Sequence, residues 1–316
     1  MNPVLALCAG PRQRTAMKLL TLFRNLAAVA GVLSLAACTG APTRNAADTT
    51  AATPTSAVKF QQIRNATIKV DYAGTTFLID PMLAKKGAYP GFEGTYNSHL
   101  RNPLVELPMP VGEVMRADAV ILTHLHPDHW DEAAKRNLPK DIPIFTQNEA
   151  DAQAVRKDGF EDVHVLSENT VFEGTRLSRT SGQHGSDAMM QSPLGEILGT
   201  VSGVVFQRPG HKTVYVAGDT VWNNHVEEAI RGYRPDVIVL NAGDARVLGF
   251  DGSIIMGKED VYRASQFAPR AILIASHMEA VNHGMLTRRE LRDYIAEKQI
   301  NPQRVRVPED GASYVF

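Results

Sequence analysis

Three imidazoles and a carboxylate are crowded into one short segment of the sequence. Residues 123–130 read Thr-His-Leu-His-Pro-Asp-His-Trp, which puts His124, His126, Asp128 and His129 within six consecutive positions. Only ten of the 316 residues are histidines, so chance rarely produces such a cluster. Imidazole nitrogen and carboxylate oxygen suit zinc, manganese or iron as ligands. The segment therefore predicts a metal site, in preference to a solvated helix start with Asp128 as the N-cap.

The elements around this segment determine which of its side chains can meet. The apolar residues 119–122 predict a buried strand, and a helical pattern follows the loop. His124 and His126 lie two positions apart on an extended loop and can converge on one ion. Asp128 and His129 fall at the start of the helical pattern and point elsewhere. The spacing therefore indicates two adjacent ions that share one loop.

Three later residues have similar surroundings: His184, Asp219 and His277. Glycines lie close to His184 on both sides and permit a close approach of the backbone to an ion or a substrate. Asp219 and His277 each follow an apolar run, at 213–218 and 271–276, which predicts a position at a strand end. Taken singly, such residues are usually turn formers or satisfied hydrogen-bonding groups. Together with the first cluster, they predict further ligands of the same centre.

The combined pattern resembles that of the metallo-β-lactamase superfamily, in which His-x-His-x-Asp-His precedes a His, an Asp and a final His on separate loops. The resemblance implies seven ligands: His124, His126 and His184 for one metal, Asp128, His129 and His277 for a second, and Asp219 between them. The cofactor would be one or two divalent ions, with zinc favoured over manganese or iron. Residues 77–81, 217–222, 235–243 and 277–283 further resemble the branch that includes L-ascorbate-6-phosphate lactonase.

Strand-like and helical runs alternate over residues 58–316 and predict an α+β fold in two halves. Strands are predicted at 67–70, 76–79, 119–122, 143–145, 163–166 and 175–179, and in the second half at 201–207, 213–217, 236–240, 271–275 and 313–316. Helices are predicted at 130–136, 149–157, 224–231, 258–267 and 287–298. Two half-domains, each a sheet covered outside by helices, would form a four-layer αβ/βα sandwich of the metallo-β-lactamase type. In it the ligand loops of both halves meet at one sheet edge.

Other polar residues near the predicted ligands are candidates for supporting a ligand or contacting the substrate. Asp80, which precedes Pro81, either supports a ligand or forms a turn. His283 lies six residues past His277 and faces the substrate, supports a ligand or starts a helix; His277 is favoured as the ligand because it directly follows the strand. The remaining candidates on ligand loops are Gln183, Trp222, Asn223 and Asn241.

The glycine-rich and aromatic segment 87–100 either packs in the ordinary way or forms a mobile lid over the site. A divalent cation lowers the pKa of bound water from about 15.7 towards about 7, which makes metal-assisted hydrolysis the expected chemistry. Asp128 would orient the attacking water and accept its proton, and Asp219 would fix the metal spacing. A small lactone or ester is the favoured substrate. The alternatives are a phosphodiesterase and a metal-binding lipoprotein without turnover. The scarcity of basic residues near the motifs argues against a phosphate-selective pocket, and Arg179, Arg246 and Lys258 are the exceptions.

The N-terminal residues predict export and a lipid anchor. Residues 1–37 contain a basic segment from Met17, the expected translation start, and an apolar run of 12 residues at 26–37, shorter than the about 20 that span a bilayer. Leu-Ala-Ala-Cys at 35–38 resembles a bacterial lipobox with Cys38 as the lipidated residue, and 38–57 reads as a flexible linker. Thr39 is not acidic, which favours the periplasmic face of the outer membrane.

Composition bounds the partners of the chain. Its 33 basic and 34 acidic residues include no basic patch of the kind that binds nucleic acid. No cysteine follows Cys38, so neither disulfides nor thiolate ligands contribute to the domain 58–316. The expected partners are a small-molecule substrate and, through the anchor on Cys38, a membrane. The oligomeric state does not follow from the sequence.

Overall fold

The computed structural model describes residues 57–316. The predicted signal peptide, Cys38 and nearly all of the linker therefore lie outside the described residues. The strands are β1 Lys59–Arg64, β2 Thr67–Tyr72, β3 Thr75–Ile79, β4 Ala119–Ile121, β5 Ile144–Thr146, β6 Val163–Val165, β7 Thr170–Phe172, β8 Thr175–Ser181, β9 Ser202–Gln207, β10 Val214–Val216, β11 Val237–Asn241, β12 Ile272–Ser276, β13 Val305–Arg306 and β14 Ser313–Val315. The helices are α1 Val111–Val114, α2 Glu132–Asn137, α3 Glu149–Lys157, α4 Asp187–Met190, α5 Leu194–Leu198, α6 Asn224–Tyr233, α7 Lys258–Phe267 and α8 Arg288–Glu297.

Two seven-stranded mixed sheets form the centre of the domain. Their orders are β14-β1-β2-β3-β4-β5-β6 and β13-β12-β11-β10-β9-β8-β7. Their inner faces share one apolar core, in which Phe77 of the first sheet meets Phe206 of the second with ring centroids 5.1 Å apart. Helices α2 and α3 cover the outer face of the first sheet, and α6, α7 and α8 cover that of the second. The predicted four-layer α+β sandwich is confirmed.

Two predicted strand assignments need correction. The terminal strand β14 was expected in the second half, but it pairs antiparallel with β1 and completes the first sheet. Strand β8 was expected in the first half, but it pairs with β9 in the second sheet. The prediction also missed β1, β7 and β13, which are short or carry too little apolar alternation. Local hydrophobic pattern identifies a strand but not its partner, because pairing is decided by packing across the whole domain.

The first and last strands join the two ends of the described domain. Val58 donates its backbone N–H to the Phe316 carbonyl at 3.2 Å, and Phe316 donates back to Val58 at 2.9 Å. The chain therefore enters and leaves the first sheet side by side. None of the helices within residues 57–316 has the length and apolar content needed to cross a bilayer.

Strand direction explains which loops meet. In the first sheet β3 and β4 run parallel, and β1 runs in the same direction because β2 is antiparallel to both β1 and β3. In the second sheet β10, β11 and β12 run parallel, and β8 shares their direction through the antiparallel β9. Carboxyl ends of parallel strands lie at the same edge of a sheet, which is where open α/β sheets form their sites. The loops after these strands carry all the predicted ligands.

Candidate metal centre

All seven predicted ligands lie in one cluster, which we call the metal cluster. Three sets of ligand atoms each lie within 4.8 Å of one another: His124, His126 and His184; His124, His129 and Asp219; and Asp128, His129 and His277. His129 belongs to two of these sets and lies in the middle of the cluster. Every member except His126 is buried. His283 belongs to none of the sets, which favours His277 over His283 as a ligand.

The backbone takes unusual conformations to bring these side chains together. His277 has φ of 60°, in the left-handed region, and its N–H donates to the Asn65 carbonyl at 3.0 Å. A Cβ on Gly218, which directly precedes Asp219, would lie 2.3 Å from the Ser202 carbonyl oxygen. Only glycine fits there, because the loop before Asp219 passes so close to the neighbouring strand.

Asp80 supports the cluster from behind, which is one of the two roles that the sequence left open for it. Its carboxylate accepts hydrogen bonds from the Thr123 N–H at 2.8 Å, from the Thr123 hydroxyl at 2.7 Å and from His129 Nδ1 at 2.8 Å. His129 therefore presents Nε2 to the cluster. Asn241, another predicted supporting residue, donates from Nδ2 to Asp219 Oδ1 at 2.7 Å. Such hydrogen bonds fix the orientation of a ligand and the tautomer of an imidazole.

Three other candidates have roles away from the substrate cavity. Trp222 was expected to face the substrate, but its indole packs edge-on against Phe267 and donates to Glu227 at 3.0 Å. Asn223 caps α6, since its side-chain oxygen accepts from backbone N–H groups of the first turn. Gln183 bonds to the Gly185 carbonyl and to Asp187, so it holds the loop that carries His184. Helix capping and loop bonding use the polar groups of these side chains.

Asn65, in the β1–β2 turn, is a site residue that the sequence prediction missed. Its Nδ2 donates to the Asp128 carbonyl at 3.1 Å and to Asp128 Oδ2 at 3.2 Å. With its carbonyl bound to the His277 N–H, it ties the first ligand loop to the last. Its φ of 56° and its position between two strands are typical of a turn asparagine. An asparagine at this position is a turn signal in the sequence, whereas nothing in the sequence indicates the contact with Asp128.

Two histidines are held as neutral imidazoles. Burial lowers the pKa of His124 well below its usual value and that of His184 to about 4. His184 donates from Nδ1 to the Ile254 carbonyl at 2.8 Å, which leaves the lone pair of Nε2 directed at the cluster. A neutral imidazole with a fixed tautomer is the form that binds a metal ion.

The carboxylates of the cluster require a positive charge. Burial alone would raise the pKa of Asp219 and of Asp128, but the charge of His129 outweighs it and holds both well below their usual value. Burial would likewise lower the pKa of His129, but the carboxylates, Asp219 foremost, raise it well above its usual value. Buried ionised carboxylates are costly without a compensating cation.

The donor set fits a divalent metal. Nε2 of His129 lies 3.1 Å from Asp219 Oδ2 and 3.1 Å from His277 Nε2, and His277 Nε2 lies 3.2 Å from Asp128 Oδ2. Two ring nitrogens at that separation need a proton or a cation between them. All donors in the cluster are imidazole nitrogens or carboxylate oxygens, a set that accepts zinc, manganese or iron.

A cavity of about 430 Å³ opens onto the metal cluster, a size typical of small-molecule sites. His126, Asp128, His184 and Asp219 line one part of it. Most of the rest, which we call the apolar wall, consists of apolar side chains: Phe92, Leu194, Ile197, Leu198, Val247, Leu248, Phe250 and Ile254. The polar residues Glu93, Thr95 and His283 line the cavity beside this wall. Among residues 57–316, neither lysine nor arginine lines this cavity. Ile197 and Leu248 are 71% and 56% exposed and extend the apolar surface to the rim.

The segment 87–100 forms part of this wall and is firmly attached. Asn282 accepts from the Phe92 N–H at 3.0 Å and donates to the Thr95 hydroxyl at 2.8 Å and the Tyr96 carbonyl at 2.7 Å. Of its aromatic residues, Phe92 lines the cavity, while Tyr89 lines a separate surface cleft. These bonds favour a fixed wall over the mobile lid considered above.

The comparisons with known proteins agree with this geometry. The model of the beta-lactamase superfamily domain matches residues 75–278. The UPF0173 protein YddR of Bacillus subtilis is 50% identical over 256 residues, covering 81% of this chain and 98% of that protein. The crystal structure of an isothiocyanate hydrolase from Delia radicum gut bacteria is 47% identical, with a TM-score of 0.78, and covers 82% of this chain and 99% of its own. A structure from Veillonella parvula DSM 2008, described as a "possible metal-dependent hydrolase", is 44% identical, with a TM-score of 0.80, covering 81% and 98%.

Proposed function

Because this chain belongs to the metallo-β-lactamase superfamily and is a metal-dependent hydrolase, we propose that it hydrolyses small, uncharged and largely apolar molecules. The reaction would occur at an electrophilic carbon bonded to nitrogen or oxygen. The apolar wall is the observation that carries this proposal, together with the absence of any basic side chain of residues 57–316 from the lining of the cavity. A pocket that binds phosphate or sulfate usually supplies Arg or Lys.

An isothiocyanate is the first candidate substrate. The supporting observation is the 47% identity to an isothiocyanate hydrolase over nearly the whole of that chain. An R–N=C=S group is uncharged, and its central carbon accepts water. Oxygen–carbon bond formation moves the C=N π pair to nitrogen, which takes up a proton derived from the water. The resulting thiocarbamic acid decomposes to an amine and carbonyl sulfide as its C–N bond breaks. Water is therefore the only co-reactant.

The residues of the cluster have separable roles in this proposal. His124, His126 and His184 would hold one ion, Asp128, His129 and His277 would hold its neighbour, and Asp219 would be shared by both. A bound divalent cation lowers the pKa of its bound water to about 7 and polarises the group under attack. Asp128 lines the cavity and accepts the proton of the attacking water, while Asn65 keeps its carboxylate in position.

A lactone or ester is the second candidate, as the sequence suggested. The same cavity, which no lysine or arginine of residues 57–316 lines, accepts it, and its carbonyl carbon is attacked in the same manner. A phosphodiester or a phosphorylated lactone fits less well. Of the basic residues considered, Arg179, Arg246 and Lys258 do not line the cavity, and Arg246 is bound to Asp244 at 3.1 Å.

A substrate panel tests the proposal. Protein with its metal content measured by elemental analysis, and protein reconstituted with Zn, Mn or Fe, is assayed on benzyl isothiocyanate, an alkyl δ-lactone, an aryl acetate and a bis-aryl phosphate. We expect amine and carbonyl sulfide from the first compound and slower turnover of the lactone or ester. Preferential hydrolysis of the phosphodiester would contradict the proposal.

The leader and anchor remain proposals that rest on the sequence of residues 1–57. We propose export, lipidation at Cys38 and attachment to the periplasmic face of the outer membrane. Metabolic labelling with a radioactive fatty acid, followed by membrane fractionation, tests this proposal. Label is expected on the full chain and is lost in Cys38→Ser. Label retained by Cys38→Ser would contradict it.

A further inference from the structure

His283 is a buried imidazole in the cavity whose role the sequence left open among three alternatives. It is 6% exposed and lines the same cavity as Asp128 and Asp219. Its ring stands edge-to-face against Phe92, with centroids 5.1 Å apart and planes at 89°. Its backbone carbonyl accepts from the Arg246 N–H at 2.9 Å. The side chain is therefore fixed between the apolar wall and the metal cluster.

The hydrogen-bonding state of this imidazole is unusual. Nδ1 is buried and has no hydrogen-bond partner among residues 57–316. Burial lowers the pKa of His283 to about 4, so the ring is neutral at neutral pH. A buried N–H without an acceptor is rarer in proteins than an acceptor without a donor. The favoured tautomer therefore carries its proton on Nε2, the nitrogen left for the cavity.

Asn282 holds this arrangement in place. Its side chain and backbone are fully engaged: Oδ1 accepts from Phe92 N–H and from Asn102 Nδ2, and its own N–H donates to Asn102 Oδ1 at 2.8 Å. The adjacent residue in the chain is His283. One buried asparagine thus holds the backbone of Phe92 next to the segment that carries His283. A hydrogen-bond donor that is held in position before the reaction, such as the His283 imidazole, stabilises charge that develops during the reaction.

We infer that His283 contacts the substrate directly and donates a hydrogen bond from Nε2 to the heteroatom that receives electron density when water adds. This inference rests on the proposed function. In an isothiocyanate that atom is the nitrogen, onto which the C=N π pair moves as the oxygen–carbon bond forms. The proton that nitrogen finally holds comes from the water by way of Asp128, and His283 keeps its own. In a lactone the acceptor would be the carbonyl or ring oxygen.

Two variants and one control test the inference through turnover. His283→Leu removes the donor, whereas His283→Gln retains an N–H donor of shorter reach. We expect kcat to fall by about 10²-fold in His283→Leu with metal content unchanged, and His283→Gln to recover part of the loss. His225→Gln, on the exposed face of α6, should match the unmodified protein. Wild-type kcat in His283→Leu, or loss of metal from it, would overturn the inference.

A binding measurement separates the inference from the proposed function. Benzyl azide is a linear analogue of benzyl isothiocyanate whose central atom does not accept water. In zinc-loaded protein with ¹⁵N-labelled histidine, we expect the Nε2-protonated form of His283 before addition and a shift of that Nε2 signal on titration with benzyl azide. No shift at saturating benzyl azide would overturn the inference. If the substrate panel is inactive while the shift is seen, the proposed reaction fails and the substrate contact stands.

Discussion

The metal cluster and the apolar wall face each other across one cavity, but they are built differently. Every ligand in the cluster except His126 is buried, and several are bound to partners on other loops: Asp80 holds His129, Asn241 holds Asp219, and Asn65 holds Asp128. The rim residues Ile197 and Leu248 of the wall are mostly exposed, and their side chains contribute apolar surface, although the Ile197 backbone carbonyl lies 2.9 Å from His126 Nε2. A change in the cluster therefore breaks a connected polar network, while a change at the rim removes one contact.

This difference assigns the two tasks of a hydrolase to different kinds of residue. The reaction depends on polar groups that leave little freedom of position or charge. At the rim of the wall, substrate choice depends on side chains that can be exchanged without unfolding the domain, because exposed apolar groups add little to its stability. The wall residues Leu198, Val247 and Ile254 are buried and do not belong to this rim. Substitutions in the two regions should therefore differ in size and in kind of effect.

Asp219→Asn should give the largest effect. It removes one of the two buried carboxylates among the seven ligands, and these carboxylates compensate the positive charge of the cluster. The same carboxylate is the ligand that the two ions are predicted to share. Activity should fall by roughly 10³-fold or more, beyond the about 10- to 100-fold typical of residues that only support a ligand. Elemental analysis and turnover measure the two consequences. Asp141→Asn, at an exposed position, is the matched control; equal activity in both variants would remove Asp219 from the centre.

Asp80→Asn should have the next largest effect. The asparagine side chain keeps the shape of Asp80 but loses the negative charge that orients His129. Its NH2 group also cannot accept a hydrogen bond, so one of the three bonds from Thr123 and His129 is lost. Metal affinity should fall about 10- to 100-fold, with activity recovering at high metal concentration. Competition with a chromogenic chelator measures this affinity. An unchanged affinity, relative to Asp251→Asn on the surface, would show that Asp80 only forms a turn.

Asn65→Gly should have a moderate effect on rate and little on metal content. Glycine tolerates φ of 56° but lacks the Nδ2 that donates to Asp128. Loss of a hydrogen bond to a charged group costs about 1.5–3 kcal/mol, or roughly 10- to 100-fold in kcat/KM. Steady-state kinetics provide the measurement, with Glu173→Gly, an exposed left-handed turn residue, as control. A loss of metal instead would place the role of Asn65 in ligand assembly.

Leu248→Lys should have the smallest effect and a different signature. A cation at the rim should raise KM for neutral substrates by about 10-fold or less, leave kcat and metal content unchanged, and improve binding of anionic analogues. Val171→Lys, equally exposed but outside the cavity, should change none of these values. Uniform loss of kcat across neutral and anionic substrates would contradict the division between cluster and wall.

The cluster was predictable from the sequence because three histidines and an aspartate are crowded into one segment and because that segment, Asp219 and His277 each lie where an apolar run stops. His124 follows β4 in the first sheet, whereas Asp219 and His277 follow β10 and β12, whose carboxyl ends share one edge of the second sheet. Asp80 follows β3 by the same rule. The four-layer architecture followed from the alternation of strands and helices, which is a local signal.

The wall and the cross-loop bonds were not predictable in the same way. Leu248 and Ile197 are ordinary apolar residues in loops or a short helix, and nothing in their spacing indicates a cavity. The contact of Asn65 with Asp128 spans 63 positions and depends on how β1 is seated in the first sheet. Trp222 and Asn223 were misassigned because proximity to a ligand in sequence does not determine the direction of a side chain.

The reciprocal hydrogen bonds between Val58 and Phe316 hold the two ends of the described domain side by side. A circular permutant that joins 316 to 57 through a short glycine linker and opens at the exposed turn of Glu173 and Gly174 would keep every sheet and ligand loop. Along its polypeptide, His184 would come first and His-x-His-x-Asp-His last. The order that makes the family recognisable is thus one of several linear arrangements compatible with the same centre.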